Sequence, residues 1–374
     1  MLFRSIGLLG FGVVGRGVYE IIASRQDMKI AQICCLEDPS LPDVRVTRDF
    51  QTIVQDETID TVVEAMGGLH PAYEFVRAAM EAGKNIVTSN KALVAAFYDD
   101  LIPLAREKGL KFRCTAAVGG GIGWLSELER ARRVQTICQV RGIMNGTCNY
   151  ILDSMTRLGL GYDQALKQAQ ALGYAEARPA TDVEGIDTWH KAILSSNIAF
   201  GVSVDREQVP VAGIHTITAA DVAQFTAHGL VCKLMASGSR TEAGYSVCVQ
   251  PTLVKEGSLE AVVPRNYNLI TLEGGHSGPM SFYGQGAGRY PTAYNVVQDL
   301  VDVQLGKGFY TAEATPVSVD NSRCLRWYVR GGWDGQIRER WGDGVITPEV
   351  SIAVMHSWRK AHPEAFIAAL ADQE

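Results

Sequence analysis

Several kinds of segment are missing from this 374-residue sequence. No apolar run approaches the ~20 residues that a membrane-spanning helix needs, and the chain has no basic run, internal repeat or low-complexity linker. The net charge is −6 and the pI is about 5.7, so neither nucleic acid nor a membrane surface is an expected partner. We expect a small-molecule substrate and other copies of the chain as partners.

The eight cysteines lack the spacing of a metal or redox site, because none of them forms a CxxC pair. The apolar start of the chain is similar to a signal peptide, but Arg4 and Arg16 interrupt it and its glycines form a different pattern. A chain of this length without a secretion signal usually keeps its thiols reduced. We therefore expect a cytoplasmic protein.

Hydrophobic residues make up 47% of the chain and charged residues 20%, which is typical of a globular protein with a substantial core. The length allows two or three domains of roughly 100–200 residues. Over the first ~115 residues, β-rich runs alternate with helical stretches, and this pattern predicts a parallel sheet with crossover helices. The predicted strands are "SIGLLGFG", "KIAQICCL", "TVVEAM", "NIVTS" and "LKFRCTAAV".

The rest of the chain mixes predicted helices and strands. Long helices are expected at 150–171 and 185–201, and "YSVCVQPTLV" is expected to form a strand. Near the C-terminus, "CLRWYVRGG", "IRERW" and "SIAVMHSW" predict strands, and "PEAFIAALADQ" predicts a short closing helix. This order of elements indicates a second, α+β unit after the first.

A glycine fingerprint opens the chain, with Gly10, Gly12 and Gly15 in the order G-x-G-x-x-G between a predicted strand and helix. The first glycine permits a tight turn, the second lets the backbone approach a pyrophosphate, and the third lets the helix pack closely on the strand. The pyrophosphate then lies at the helix N-terminus, which favours an anion. We predict dinucleotide binding here; the alternative is a purely structural glycine turn.

The acidic end of the second predicted strand bears on the choice of cofactor. Glu37, or Asp38 beside it, is placed to accept hydrogen bonds from an adenosine ribose and to repel a 2′-phosphate, which favours NAD over NADP. Arg45 and Arg48 are close enough in sequence to fold back onto such a phosphate. An exposed acidic turn without a ligand is the alternative interpretation.

A charged stripe begins the otherwise apolar helix at 185–201, because Glu184, Asp187 and Lys191 share one helical face. One interpretation is an exposed Asp–Lys pair at i,i+4, worth ~0.2–0.5 kcal/mol. A second is a metal site, for which no accompanying ligand cluster is present. The third is a pocket in which a partly desolvated lysine has a lowered pKa and passes a proton, held by the aspartate.

Polar residues upstream of this stripe favour the pocket. Asn145, Thr147 and Asn149 gather around a glycine ahead of a predicted helix, and Glu176 follows in "ALGYAEARPATDVEG". Polar groups that converge at helix starts are what a small polar substrate requires.

Together these segments resemble the homoserine dehydrogenase family, from the glycine fingerprint to about residue 303, or some four-fifths of the chain. The motifs that carry the resemblance keep the family's order and spacing. They are "GFGVVGRGV", "TSNKAL", "AAVGGGI", "GIMNGTCNYIL", "AQALGYAEARPATDVEGIDTWHK" and "GQGAGRYPTAYNVVQDL".

The resemblance implies roles for individual residues. Lys191 matches the catalytic lysine that gives a proton to the aldehyde oxygen, Asp187 matches the carboxylate beside it, and Lys91 matches a second lysine between cofactor and substrate. Glu176 matches the residue that holds the substrate's amino group. Asn145, Thr147 and Tyr174 are also expected to contact the substrate.

The resemblance also implies a cofactor site and a cation site. The residues expected at NAD or NADP are Gly10, Phe11, Gly12, Val13, Val14, Gly15, Glu37, Gly67, Lys91 and Gly288. A sodium ion is usual in the family, held largely by main-chain oxygens, and the matching positions here are Thr115, Val118, Gly120 and Ile122.

Three positions depart from the family's pattern. Thr115 stands where the family usually has Glu, which puts the sodium ion in question. Cys148 replaces a common Thr, and its thiol has two interpretations, a nucleophile and a packed small side chain. The second is favoured, because no histidine is placed to activate the thiol. Glu37 stands near a position where members that use NADP often carry Arg.

The fold expected from the resemblance is α/β: a Rossmann-type nucleotide-binding domain at 1–127 completed by 284–310, a substrate and dimerisation domain at 128–283, and a short ACT-like appendage at 311–374. The implied reaction is the reversible reduction of aspartate 4-semialdehyde to homoserine by a homodimer. A same-fold dehydrogenase for another amino-acid aldehyde and a cofactor-binding sensor without turnover are the alternatives.

Overall fold

The computed structural model describes residues 4–308 and 314–371. Contacts between Cα atoms divide the chain into two compact units. The first unit comprises the described residues of Met1–Val134, Asn197–Ser203 and Gln285–Pro316, and the second comprises those of Gln135–Ser196, Val204–Gly284 and Val317–Glu374. Each unit contains a large sheet of its own.

The described elements alternate along the first third of the chain as the sequence predicts. Up to residue 134 they are β1 (Arg4–Leu9), α1 (Val13–Ala23), β2 (Met28–Cys34), β3 (Arg45–Thr47), α2 (Gln51–Val54), β4 (Ile59–Glu64), α3 (Ala72–Glu81), β5 (Asn85–Thr88), α4 (Lys91–Ala96), α5 (Tyr98–Glu107), β6 (Phe112–Arg113), a 3₁₀ turn (Thr115–Ala117) and α6 (Trp124–Arg132).

The remaining described elements include the longest strands and helices. They are β7 (Ile137–Ile143), α7 (Gly146–Leu158), α8 (Tyr162–Ala171), α9 (Ala180–Val183), α10 (Ile186–Phe200), β8 (Val202–Val204), a 3₁₀ turn (Arg206–Gln208), α11 (Ala219–Ala227), β9 (Leu230–Thr241), β10 (Gly244–Lys255), α12 (Leu259–Val262), β11 (Tyr267–Gly274), β12 (Gly278–Gln285), α13 (Arg289–Gln304), β13 (Thr315–Val317), β14 (Cys324–Leu325), β15 (Trp327–Arg330), β16 (Glu339–Trp341), β17 (Gly344–Ile346), β18 (Val350–Ser351), α14 (Ile352–Ala361) and β19 (Phe366–Leu370).

The first unit is built on a six-stranded parallel sheet with the strand order β3-β2-β1-β4-β5-β6. This is the order of a doubly wound dinucleotide-binding fold, so the predicted Rossmann-type sheet is confirmed. In such sheets ligands bind outside the carboxyl ends of the strands where the order reverses, here between β1 and β4. The core pairs Val18 and Ile22 of α1 with Val296 and Leu300 of α13.

The second unit is built on a nine-stranded mixed sheet with the order β12-β11-β7-β9-β10-β19-β15-β17-β16. Its neighbouring strands are antiparallel at each pairing described except β10 with β19, which is parallel. No helix among residues 4–308 and 314–371 is long and apolar enough to cross a membrane.

Two predicted elements of the first two-thirds of the chain differ in the structure. The helix predicted at 150–171 is two helices, because Gly159 adopts a left-handed φ of 67° and ends α7 before α8 begins. The strand predicted from "LKFRCTAAV" is confined to β6, and the chain turns into the 3₁₀ segment at Thr115.

Two predictions near the C-terminus are wrong. The segment "SIAVMHSW", expected as a strand, is helix α14: Ser351 caps it by accepting from the Val354 N–H, and its buried residues Ile352, Met355 and His356 follow helical spacing. The segment "PEAFIAALADQ", expected as a helix, contains β19. That strand lies between β10 and β15, and burial in the sheet overrides the helix preference of its alanines.

The described C-terminal residues 317–371 extend the nine-stranded sheet of the second unit. Asp221 of α11 binds this C-terminal segment. Its carboxylate accepts from the Tyr328 hydroxyl at 2.6 Å and from Arg330 Nε at 2.8 Å. Asp221 also completes a capping box with Thr218 at the start of α11. An ACT-like appendage is therefore not confirmed.

A buried histidine of α14 joins this C-terminal segment to β10. His356 Nε2 is 2.8 Å from Gln250 Oε1, and its ring packs edge-on against Trp327 at 6.0 Å. Burial, and secondarily the charge of Arg359, lowers the pKa of His356 from 6.5 to about 4. The unfolded chain therefore binds a proton at higher pH than the folded chain does.

We expect His356 to make the second unit less stable in mild acid. Between pH 7 and pH 5 the free energy of unfolding should fall by about 2 kcal/mol through this residue alone, because the unfolded state is protonated first. Urea titrations at both pH values should show a smaller fall for His356→Gln. The matched control is His276→Gln, on an exposed turn; equal falls for His356→Gln and wild type would contradict the assignment.

Candidate active site

The glycine fingerprint forms the turn between β1 and α1. Gly10 has a φ of 91°, and a Cβ there would lie 2.7 Å from the Ala65 carbonyl oxygen, while a Cβ on Gly15 would lie 2.2 Å from the Gly10 oxygen. Gly12, the N-cap of α1, faces open space. The outer glycines thus shape the turn, and the middle one leaves room for a ligand at the helix N-terminus.

The apolar residues of the fingerprint line the same turn. Phe11 packs edge-on against Tyr19 with 5.8 Å between ring centroids, and its carbonyl oxygen accepts from Arg16 Nε at 3.2 Å. Val13 is 65% exposed in the first turn of α1, and Val14 is half-buried. An exposed apolar side chain at this end of the helix is suited to contact a cofactor.

The acidic turn after β2 presents two carboxylates to solvent. Glu37 and Asp38 are both exposed, and the Asp38 side chain also accepts from the Ser40 N–H at 2.8 Å and so shapes the turn. Arg48, also exposed, and Glu37 both act electrostatically on the thiol of Cys35. The structure therefore places acidic and basic groups around one thiol at this edge of the sheet.

A buried carboxylate that the sequence reasoning missed organises the end of β4. Glu64 is fully buried, and its Oε1 accepts from the Met66 and Gly67 N–H groups at 2.8 and 3.2 Å. Its Oε2 accepts from the Thr88 hydroxyl. Asn90 contacts Glu64 and donates to the Gly68 carbonyl at 2.7 Å.

This network places Lys91. Asn90 is the N-cap of α4, accepting from the Leu93 N–H, and half-buried Lys91 is the first residue of that helix. Gly67 and Lys91, two residues expected at the cofactor, are thus positioned through one carboxylate. The feature of the sequence that could have revealed Glu64 is an acidic residue at the end of an apolar strand.

The residues expected at sodium lie in the segment from Thr115 to Gly123, which we call the glycine segment. The Thr115 hydroxyl donates to Asp299 at 2.6 Å, and its N–H donates to the other Asp299 oxygen at 2.8 Å. Asn295 Nδ2 donates to the Gly120 carbonyl oxygen. The fit of this segment to a cation is therefore poor at Gly120, whose oxygen already faces a donor.

No cluster of three or more His, Cys, Asp or Glu side chains among the described residues has the arrangement of a metal site. The remaining carbonyls expected at sodium belong to Val118, which is fully buried, and Ile122, which is half-buried.

Gly288, another residue expected at the cofactor, is the N-cap of α13 with a φ of 130°.

In the second unit, Asn145 joins two carboxylates. Its Oδ1 caps α7 by accepting from the Cys148 N–H at 2.8 Å, while its Nδ2 donates to Asp182 at 2.7 Å and to Asp187 at 2.9 Å. Burial raises the pKa of Asp182, and the Asn145 bond opposes that shift. Asp182 is a site residue that the sequence reasoning missed.

Lys191 is buried beside these groups. Its Nζ is 2.7 Å from Asp187 Oδ2 and donates to the Met144 carbonyl at 2.6 Å. The side chains of Lys191 and Asp187 are each 9% exposed, so the exposed-pair interpretation of this stripe is wrong. Glu184 lies on the exposed side and does not join them.

The other expected substrate residues lie in the first turn of α7 and on the chain between α8 and α9. The Thr147 hydroxyl donates to the Tyr174 carbonyl at 2.5 Å, and the Tyr174 ring packs on Tyr150 at 5.2 Å. Glu176 is exposed two residues later, and its carbonyl accepts from Gln170 at 3.1 Å. Thr147 and Tyr174 are brought together, while Glu176 extends from an exposed turn.

Cys148 is a packed thiol. It is fully buried, its Sγ donates to the Asp182 carbonyl at 3.1 Å, and burial raises its pKa well above 9. A thiol held in its neutral form is a poor nucleophile. The structure supports the packed-side-chain interpretation.

These arrangements support specific chemistry. The first unit has the strand order, glycine turn and open helix N-terminus of a dinucleotide site. The second has a buried amine whose charge is compensated by one carboxylate, which is a suitable proton donor to a carbonyl oxygen. Together they are the parts of a dehydrogenase that reduces a small carbonyl compound.

Comparisons with known proteins agree with this chemistry. Residues 10–115 match the family model for the homoserine dehydrogenase NAD binding domain, and residues 124–301 match the model for homoserine dehydrogenase. The homoserine dehydrogenase of Synechocystis sp. is 38% identical over 316 residues, covering 80% of this chain and 73% of the relative; that of Bacillus subtilis is 36% identical, covering 80% and 72%.

Solved structures extend the likeness to the whole described fold. A homoserine dehydrogenase from Thiobacillus denitrificans superimposes with a TM-score of 0.88 at 29% identity, covering 99% of this chain and 98% of that one. The enzyme from S. aureus gives a TM-score of 0.79 at 28% identity, covering 99% and 100%. By both family models and by these relatives, the chain belongs to the homoserine dehydrogenase family.

Proposed function

We propose that this homoserine dehydrogenase uses NAD or NADP to reduce L-aspartate 4-semialdehyde reversibly to L-homoserine, with Lys191 as the proton donor. The observation that carries this proposal is the buried Lys191–Asp187 pair. Two of the three N–H groups of the ammonium are directed at Asp187 and the Met144 carbonyl. The third is left for an aldehyde oxygen.

The proton and the hydride go to different atoms of the aldehyde. A nicotinamide cofactor, when bound, would supply the hydride for the carbonyl carbon. Lys191 gives its proton to the carbonyl oxygen, so the product is an alcohol and the lysine is left neutral. In the oxidation direction a neutral Lys191 accepts the hydroxyl proton, so we expect oxidation to require a higher pH than reduction.

Asn145 and Asp182 support this proton transfer. Asn145 and Lys191 both contact the same Asp187 oxygen, Oδ2, and these two contacts hold the carboxylate in one orientation. Thr147 and Tyr174 follow on α7 and on the chain after α8, and we assign them, with Glu176, to the substrate's amino and carboxylate groups. Positioning the aldehyde ~3–3.5 Å from the hydride supplies much of the rate acceleration.

We propose NAD as the preferred cofactor, because exposed Glu37 follows β2 where an acidic residue accepts bonds from the ribose hydroxyls. The neighbouring Arg48 keeps NADP possible as a substrate. Lys91 and Gly288 are assigned to the nicotinamide end, and Gly67 to the pyrophosphate or ribose.

We further propose a cytoplasmic homodimer. All eight cysteines are free thiols, which fits a reducing compartment. Strand β12 is an edge of the nine-stranded sheet and carries Tyr283, 54% exposed and stacked on Tyr267. Edge strands with exposed aromatic residues pair readily with a second copy. Sedimentation of the protein as a monomer at micromolar concentration would exclude this assembly.

Replacing Lys191 should abolish turnover without abolishing cofactor binding. We expect Lys191→Met to lower kcat for homoserine oxidation by about 10²–10⁴-fold, the range of general acid–base catalysis. Lys191→Arg should be nearly as slow, because a guanidinium keeps the charge beside Asp187 but does not release its proton. Initial rates at pH ~9 and a fluorescence titration with cofactor give both quantities.

The matched control is Lys255→Met, at the exposed end of β10, which should turn over like wild type. If Lys191→Arg kept most of the wild-type kcat, Lys191 would act by its charge and not by proton transfer.

Neutralising Glu37 should weaken the preference for NAD. We expect wild type to have a lower KM for NAD than for NADP, and Glu37→Gln to shift the ratio of the two KM values by about tenfold toward NADP, since one repulsive charge is removed. Glu57→Gln, an exposed acid elsewhere in the first unit, should leave the ratio unchanged. A wild-type preference for NADP would overturn the cofactor assignment.

A further inference from the structure

Two buried polar side chains of α13 hold the glycine segment. Asn295 and Asp299 lie one turn apart on that helix, 3% and 1% exposed. Asp299 accepts both the N–H and the hydroxyl of Thr115, and Asn295 donates to the Gly120 carbonyl. The two contacts fix the segment at its beginning and in its middle.

The nitrogen of the Asn295 amide faces the Gly120 oxygen, because two oxygens within hydrogen-bond distance would repel each other. Its Oδ1 lies on the side of Gly123, where an added Cβ would be 3.7 Å away. The N–H places its partial positive charge against the Gly120 oxygen and engages one of that oxygen's two lone pairs, which weakens it as a cation ligand.

Both oxygens of Asp299 are already engaged by other groups. Its Oδ1 is 2.8 Å from Arg113 Nε and accepts the Thr115 hydroxyl, and its Oδ2 accepts the Thr115 N–H. Asp299 therefore holds Thr115 and Arg113 in place of a cation. Since Thr115 stands where the family usually has Glu, no further carboxylate is added at that position.

The main chain around Gly120 is closely packed against the chain that precedes α13. A Cβ on Gly120 would lie 2.6 Å from the Gly286 carbonyl oxygen, and the Gly121 N–H donates to the Gln285 carbonyl at 3.1 Å. The chain from Gln285 leads directly to Gly288, which begins α13. Any shift of the glycine segment therefore moves the start of α13 as well.

We propose that Asn295 holds the glycine segment in the place of a monovalent cation, so that this chain needs no sodium ion there. Gly288, next to the cofactor in the proposed function on which this part rests, is then positioned by a protein amide. The expected consequence is indifference of the wild-type protein to the identity of the salt cation.

The test compares wild type and Asn295→Ala in NaCl, KCl and choline chloride at equal ionic strength. The thermal midpoint is measured without cofactor, and the dissociation constant of NAD is measured by direct titration. Neither needs turnover, and the midpoint stays informative if the proposed function fails. We expect wild type to give the same values in all three salts.

In choline chloride we expect Asn295→Ala to melt about 3 °C lower and to bind NAD about tenfold more weakly, because a buried carbonyl has lost its donor. Sodium, which fits between carbonyl oxygens, should recover part of both losses. Asn295→Asp, the second variant, places a carboxylate oxygen against the Gly120 oxygen and should become dependent on sodium.

A midpoint of the wild-type protein that rises with NaCl but not with KCl or choline chloride would overturn the proposal, since it would show that a specific ion is still bound. Values for Asn295→Ala equal to wild type in choline chloride would overturn it too. The variant Gln298→Ala, on the exposed side of the same helix, should match wild type in every salt.

Discussion

The ion pair between Lys191 and Asp187 constrains everything that surrounds it in the second unit. Both groups are withdrawn from water, and leaving one of them without the other costs on the order of 3–5 kcal/mol. The remaining lone pairs and N–H groups must therefore find partners, and the chain supplies Asn145 and the Met144 carbonyl. The cap of α7, the end of β7 and the first turns of α10 are fixed by this one requirement.

The first unit solves a different problem, which is to leave backbone groups open for a ligand without leaving the chain loose. Glu64 makes the turn after β4 rigid by accepting two consecutive N–H groups, and Asn90 links that turn to α4. The Gly12 turn is open because its neighbours Gly10 and Gly15 are in close contact. In both places a rigid surrounding keeps a small open region in shape.

How far the sequence predicted these features depended on the distance over which each signal acts. The glycine fingerprint and the Asp187–Lys191 spacing lie within one turn or one helix, so they were predicted correctly as local patterns. The strand β19 was misassigned because its burial comes from β10 and β15, which the segment itself does not reveal. Asp182 was missed because its partner, Asn145, is 37 residues away in sequence.

The same argument explains why motif matching is least informative around the glycine segment. Thr115 departs from the family's usual residue, yet its two hydrogen bonds reach Asp299, 184 residues later. Whether a substitution at Thr115 is compensated depends on its partner on another element, α13. A motif around Thr115 contains only one residue of that pair. The structural effect of such a substitution therefore depends on the partner residues. Here α13 supplies two of them, Asp299 for Thr115 and Asn295 for Gly120.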